Sequence, residues 1–239
     1  LFNIQTMGFR GEAMASIAAI AHVEVKTKLT QQELGTHLLI EGSEIKKKKD
    51  CATKNGTSIK VKNLFYNVPA RRKFLKSDKV EIRHITEEFI RVALSNPNIK
   101  MQFFNNRNEI FHLTKNNFRQ RIVKVMGGKK NEHLVPVKEE TTVVKIDGFI
   151  GKPEAARRTR GEQYFFVNGR YIKSHYLHHA VIKAFKELIP QNYFPSYFIN
   201  MKIDPKLIDI NIHPTKTEIK FEDEKIIYSM IHACIKRSL

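Results

Sequence analysis

The chain has 239 residues, 41% hydrophobic and 28% charged, which suits one large or two ordinary globular domains with a real core. Its 42 Lys+Arg against 24 Asp+Glu leave a formal charge of +18, a surplus that favours an anionic partner, nucleic acid first among them. The two cysteines, Cys51 and Cys234, are far apart and lack metal-ligand spacing, which argues against a disulfide scaffold or a zinc site; no apolar run reaches spanning length, and no signal peptide is visible.

Met7 to Ile20 reads as a glycine-rich turn leading into a helix, with Ala13, Met14, Ile17, Ala18 and Ile20 forming an apolar face. His22 to Lys28 alternates as a strand, and Leu34 to Ile40 reads as its partner. The lysine run Lys46 to Lys49 lies in polar surroundings and is expected to be a loop, followed by a strand from Thr57 to Lys62. Pro69 starts a basic turn, Ala70 to Lys76. A long amphipathic helix is predicted from Lys79 to about Ser95, ended by Asn96-Pro97-Asn98. Met101 to Phe104 and Ile110 to Leu113 flank a turn sequence, Asn105 to Asn108, and predict a hairpin.

Asn116 or Asn117 is placed to cap a helix running to Met126, with Gly127-Gly128 closing it; a domain junction is expected near Lys115. Beyond it, strands are predicted at Thr142 to Ile150, Tyr164 to Asn168 and Tyr197 to Ile203, and helices at His175 to Leu188 and Glu224 to Arg237. The mixture of strands, hairpins and crossovers points to an α+β fold with mixed sheets. Near the end, Ile208, Ile210 and Ile212 alternate with Asp209, Asn211 and His213, and Pro214 stops the strand. Lys216 is thereby fixed just past a buried strand, where an ammonium can bind phosphate as a point charge.

Gly8-Phe9-Arg10-Gly11-Glu12-Ala13 can turn sharply and present backbone N–H groups at the positive end of a helix, which together make a phosphate cradle. It is neither a Walker loop, since no G-K-[ST] follows, nor a dinucleotide fingerprint, since no strand precedes it. Basic residues cluster at Arg71, Arg72, Lys73 and Lys76, at Arg157, Arg158 and Arg160, and at Arg170 and Lys173. Spread this way they favour a groove that faces phosphates. His175, His178 and His179 share a helical face, but no fourth ligand completes a metal set, so no metal site is assigned.

The segment Gly8 to Ile17 resembles the nucleotide-lid motif of the MutL family of DNA mismatch repair proteins. Asn63-Leu64-Phe65-Tyr66-Asn67-Val68-Pro69-Ala70-Arg71-Arg72-Lys73-Phe74-Leu75, Phe166-Val167-Asn168-Gly169-Arg170 and Asp209-Ile210-Asn211-Ile212-His213-Pro214-Thr215-Lys216 resemble three further signatures of that family, in the family's order. The resemblance implies a truncated GHKL-type ATPase sandwich over residues 1–115, followed by a ribosomal-S5-like transducer domain over 116–239. It implies ATP binding by Gly8, Phe9, Arg10, Gly11, Glu12 and Ala13 of the lid, by Gly56 and Thr57 on the pocket-floor strand, and by Lys216 as the catalytic lysine on the terminal phosphate. It further implies Mg²⁺ in the full-length parent and DNA contacts without sequence preference, for which Arg157, Arg158, Arg160, Arg170 and Lys173 are the candidates. A mismatch-recognition protein and a second copy or a related subunit are the implied protein partners, in a cytoplasmic or nucleoid-associated setting with no membrane.

Two readings are open at this level: an ATP-gated DNA clamp, or a non-catalytic DNA-binding or docking module that keeps a structural remnant of the ATPase site. The chain begins at Leu1 rather than Met and is expected to be a fragment, because the family's general-base glutamate, metal-binding asparagine and adenine-reading aspartate lie upstream of the lid. Without that base and metal anchor, neither positioning nor charge neutralisation is complete. The 239-residue chain alone is therefore expected to bind nucleotide poorly and to show no metal-dependent ATP turnover in a phosphate-release assay; turnover at a full-length-like rate would contradict this.

Overall fold

The computed structural model describes residues 11–209 and 217–239. These divide into two compact units, one within Gly8–Glu81 and one within Ile82–Leu239. In the first unit, α1 (Glu12–Ile20) begins at Gly11, whose φ of 68° is left-handed. The helix packs on the sheet through small side chains, with Ala18 and Ala21 buried above Val23. The sheet consists of β1 (His22–Lys28), β2 (Gly35–Glu41), β3 (Glu44–Cys51) and β4 (Gly56–Lys62) in the order β3-β2-β1-β4, antiparallel throughout.

The lysine run is a strand and not the expected loop. Gly42 and Ser43 adopt φ of 57° and 70°, the left-handed pair of a tight hairpin turn, and this turn folds β3 back onto β2. Pairing uses the backbone, so the strand forms although nearly all its side chains are exposed. Lys47, Lys48 and Lys49 face Leu39, Leu38 and His37, while Lys46 falls at a break in register. On β1, the Glu24 carboxylate lies 3.1 Å from Lys62 and 3.7 Å from both Lys60 and Lys26. The hydrogen bond from Lys62, reinforced by the other lysines, holds its pKa below the usual carboxylate value. The basic turn after Pro69 closes into a short helix, α2 (Pro69–Lys73), with proline in the first turn, where its missing N–H costs nothing.

The division between units falls inside α3 (Asp78–Ser95). From Ile82 onward, the second unit continues with the hairpin β5 (Met101–Asn105) and β6 (Asn108–Leu113). Phe89 of α3 stacks on Phe103 and Phe111 of this hairpin, with ring centroids 4.9 and 5.5 Å away. Next comes α4 (Phe118–Met126), capped as expected: the Asn117 side chain accepts the Gln120 N–H at 2.9 Å, and Gly127 ends the helix.

Strands β7 (Leu134–Glu140), β8 (Val144–Gly151), β9 (Gln163–Val167), β10 (Arg170–Ile172) and β11 (Tyr197–Ile203) form a sheet of order β10-β9-β11-β8-β7. All neighbours are antiparallel except β9 and β11, whose parallel pairing requires a crossover, made through β10 and α5 (His175–Phe185). Strand β12 (Ile208–Asp209) pairs with β13 (Lys220–Phe221), and α6 (Glu224–Ser238) follows, capped by the Asp223 side chain. The expected continuation of β12 to His213 lies outside the described residues.

This sheet is covered on both faces. Phe165 and Val167 point to a core shared with Leu177, Val181 and Phe185 of α5 and with Ile227 and Ile231 of α6. Tyr164 and Phe166 point the other way, to Leu94 of α3 and Ile122 of α4. Burial on both sides explains why residues 164–167 read as a continuous apolar run instead of an alternating one.

Arg121 of α4 is fully buried at 0% exposure. Its guanidinium donates to the carbonyls of Ala93 (3.2 Å), Pro97 (2.8 Å), Ile99 (2.6 Å) and Thr114 (3.1 Å). Burial pulls its pKa below the usual arginine value, as desolvation of a cation must. Arg121→Met would remove this donor from all four carbonyls, leaving Pro97 and Thr114 only their bonds from Asn116. A loss of about 2–4 kcal/mol of unfolding free energy is expected from urea titration, since a buried carbonyl left without a donor costs roughly 1–3 kcal/mol.

A second test concerns His178 of α5, whose Nδ1 lies 2.9 Å from the Tyr197 hydroxyl. Burial first, then the nearby Arg160 cation, hold its pKa below the usual histidine value. The unfolded chain therefore binds a proton that the folded chain refuses. The stability this histidine contributes is complete above pH of about 6.5 and is lost as pH falls below it. Thermal melts from pH 7.5 down to pH 5 are expected to fall more steeply for the native chain than for His178→Gln.

Candidate nucleic-acid interface

Three of the five cations expected to face DNA arise from one loop. After a single helical turn at Pro153–Ala155, the chain bridges to residue 194: Arg157 N–H donates to the Phe194 carbonyl at 3.1 Å, and Phe194 N–H donates back at 2.7 Å. That bridge sets two guanidiniums on aromatic rings. Arg158 lies 5.6 Å over Tyr193 and donates from Nε to its hydroxyl at 3.2 Å, and Arg160 lies 4.5 Å over Phe194. Charges seated this way are oriented without being neutralised. Arg157 differs: it pairs at 3.2 Å with Glu162, which also holds the buried Lys130 ammonium. Part of its charge is spent inside the protein.

The other two cations come from the β9–β10 hairpin and its exit. Asn168 and Gly169 take φ of 51° and 77° at the turn. The Asn168 side chain ties this turn to the end of β11, donating to the Ile203 carbonyl at 2.8 Å and accepting the Ile203 N–H at 3.0 Å. Arg170 is half-buried, and burial lowers its pKa. Lys173 is exposed at the start of the crossover, its N–H bonded to the Thr217 carbonyl at 2.7 Å.

Arg160 and Lys173 meet at one cavity of about 350 Å³, which Arg170 does not line. Its wall also carries Tyr171, His175, His178 and Arg91, a residue of α3 that sequence reasoning missed. The Arg91 guanidinium lies 4.4 Å over the Tyr171 ring and pairs with Glu88. On the helix it is an ordinary member of a polar face, and only the fold brings it to a ring far along the chain. The histidines of α5 do not converge: His178 turns to Tyr197 and His179 to Tyr228, with Nδ1 2.8 Å from its hydroxyl. Among the described residues, no group of three His, Cys, Asp or Glu side chains is arranged to hold a metal ion.

Of the nucleotide-binding candidates, Gly8, Phe9, Arg10 and Lys216 lie outside the described residues. Gly11 opens α1 without a side-chain cap, and Glu12 and Ala13 follow in its first turn. Gly56 starts β4 with φ of 105°, and Thr57 Oγ1 lies 2.8 Å from Thr27 Oγ1 on β1. Nothing lies within 4 Å of where a Cβ would stand on Gly11 or Gly56, so backbone conformation, not crowding, is what asks for glycine there. Both positions are in the first unit and the cation cavity is in the second.

A family model described as "DNA mismatch repair protein, C-terminal domain" matches residues 122–239. The whole chain is 59% identical to the DNA mismatch repair protein MutL of Christiangramia forsetii and spans 39% of that protein's length. Among solved structures, the N-terminal domain of a DNA repair protein superposes with a TM-score of 0.84 at 25% identity, over 98% of this chain and 76% of that one. The Aquifex aeolicus MutL ATPase domain complexed with ADP superposes with a TM-score of 0.67 at 23% identity, over 81% of this chain and 72% of that one, which speaks for the fold. Identity sustained along the entire chain, together with a fold shared with ATPase domains of this kind, places it: the chain belongs to the MutL family of DNA mismatch repair proteins.

Proposed function

We propose that this chain serves DNA mismatch repair as part of an ATP-gated clamp, with the second unit contacting the DNA backbone and the first unit contributing the lid of the nucleotide site. The observation that carries the reading is the pair Arg158 and Arg160, exposed on aromatic rings, with Arg160 and Lys173 meeting at one cavity. A protein of +18 charge gains affinity for DNA by releasing counterions, and cations held in place contribute without losing side-chain freedom on binding. None of these groups reads bases in a groove, so the expected binding is to phosphates and indifferent to sequence.

The positive N-terminal end of α1, with Gly11, Glu12 and Ala13, suits a triphosphate, and Thr57 suits the floor of the same site. ATP bound there would supply concentrated negative charge for the lid and for Lys216 to close upon. The described residues hold no carboxylate or histidine cluster that fits Mg²⁺, and no step is assigned to it. A second copy or a related subunit and a mismatch-recognition protein are the proposed protein partners. The proposed setting is the bacterial cytoplasm or nucleoid; among the described residues, no helix is long and apolar enough to cross a membrane.

The combined substitution Arg158→Glu, Arg160→Glu and Lys173→Glu tests the DNA surface while sparing the half-buried Arg170 and the Glu162-paired Arg157. Duplex affinity measured by fluorescence anisotropy across a salt series is expected to fall, and the slope of log affinity against log salt to flatten by roughly two to three. An unchanged slope would reject the assignment.

A further inference from the structure

The cavity at the start of the crossover is more than a patch of charge. We infer that it binds one unstacked nucleotide of a single DNA strand, the base against the Tyr171–Arg91 stack and a neighbouring phosphate on Arg160 and Lys173. This deepens the proposed DNA surface and rests on that reading.

The cavity volume of about 350 Å³ lies within the range of small-ligand pockets, roughly 300–1,000 Å³, and its wall joins two chemistries. One side is aromatic. Tyr164 and Tyr171 meet edge to face at 6.0 Å, and Tyr164 stacks at 5.5 Å on the buried ring of Phe198, so this wall is braced by the core. The hydroxyl of Tyr164 is already donated to the Gly161 carbonyl and that of Tyr197 is engaged with His178, leaving ring faces and edges as what these tyrosines offer. The other side carries the cations Arg91, Arg160 and Lys173, with Glu87 of α3 as the one carboxylate among its lining residues. Among the described residues, no carboxylate forms an ion pair with Arg160 or Lys173.

Phosphate alone would need only the cations, and an apolar ligand only the rings. A base joined to a phosphate uses both, which is how proteins hold single strands: stacking platforms beside a positive groove. A duplex keeps its bases paired and stacked, so it can reach the cations but cannot offer a base to a recessed wall.

The test uses the 239-residue chain and three labelled probes of equal length: oligothymidylate, an abasic deoxyribose-phosphate strand, and a duplex. The native chain is expected to bind oligothymidylate about tenfold or more tighter than the abasic strand, the effect of one stacked base. Tyr171→Leu is expected to weaken oligothymidylate binding about tenfold more than duplex binding and so erase the preference, and Tyr171→Phe, which keeps the ring, to preserve it. Equal binding of the base-bearing and abasic strands by the native chain, or equal weakening of single strand and duplex by Tyr171→Leu, would overturn the inference while leaving the charged surface standing. Binding to none of the three probes would overturn both. The native comparison needs no variant, so a Tyr171→Leu chain that fails to fold still leaves the base preference measured, and Arg91→Gln, which removes the cation from the stack, then takes its place in locating it.

Discussion

A single desolvated cation organises the second unit. The Arg121 guanidinium gathers the Ala93 carbonyl of α3, the Pro97 and Ile99 carbonyls of the turn that follows, and the Thr114 carbonyl after the β5–β6 hairpin. Among the described residues no carboxylate pairs with it; backbone carbonyls do, including one near the C-terminal and hence negative end of α3. The Pro97 and Thr114 carbonyls also accept from Asn116, from its N–H at 2.9 Å and its Nδ2 at 3.1 Å, so the guanidinium and the loop backbone together relieve one another's desolvation. Fixing the end of α3 in this way also fixes Leu94 against the sheet, and Arg91, one turn earlier on α3, beside Tyr171. The candidate ligand site thus depends on an interaction made at the C-terminal end of the same helix.

Much of this was legible locally. The Asn117 cap, the Gly127 stop and the alternation of β1 are written within a few residues of where they act, and so the helix and strand appear where periodicity and capping put them. What escaped is what depends on partners. β3 lacks an apolar face because it forms by backbone pairing at a sheet edge. β7 carries Pro136, which argues against a strand until its place at the edge of the order β10-β9-β11-β8-β7 makes a missing donor tolerable. β10 has three residues, too few for any periodic signal.

The site divides along the same line. Arg158, Arg160 and Lys173 stand out as basic residues in polar segments, but their settings do not: aromatic seats for the first two and an internal carboxylate for Arg157 are contacts across the fold. Composition counts all these charges alike. The structure ranks them, because a cation already paired has less to give a phosphate than one perched on a ring. Arg91 carried no distinguishing mark, since its partner ring is reached only through the packing of α3 on the sheet.

The lysine-lined β3 has a consequence for how the chain behaves in company. Among the described residues no strand pairs with its outer edge, and the like charges of Lys47, Lys48 and Lys49 disfavour the approach of another copy's strand there. That protection is only as durable as the positive charge. Acylating those amines, or laying a polyanion along them, would silence the repulsion and turn a guarded border into a template for strand-to-strand self-association.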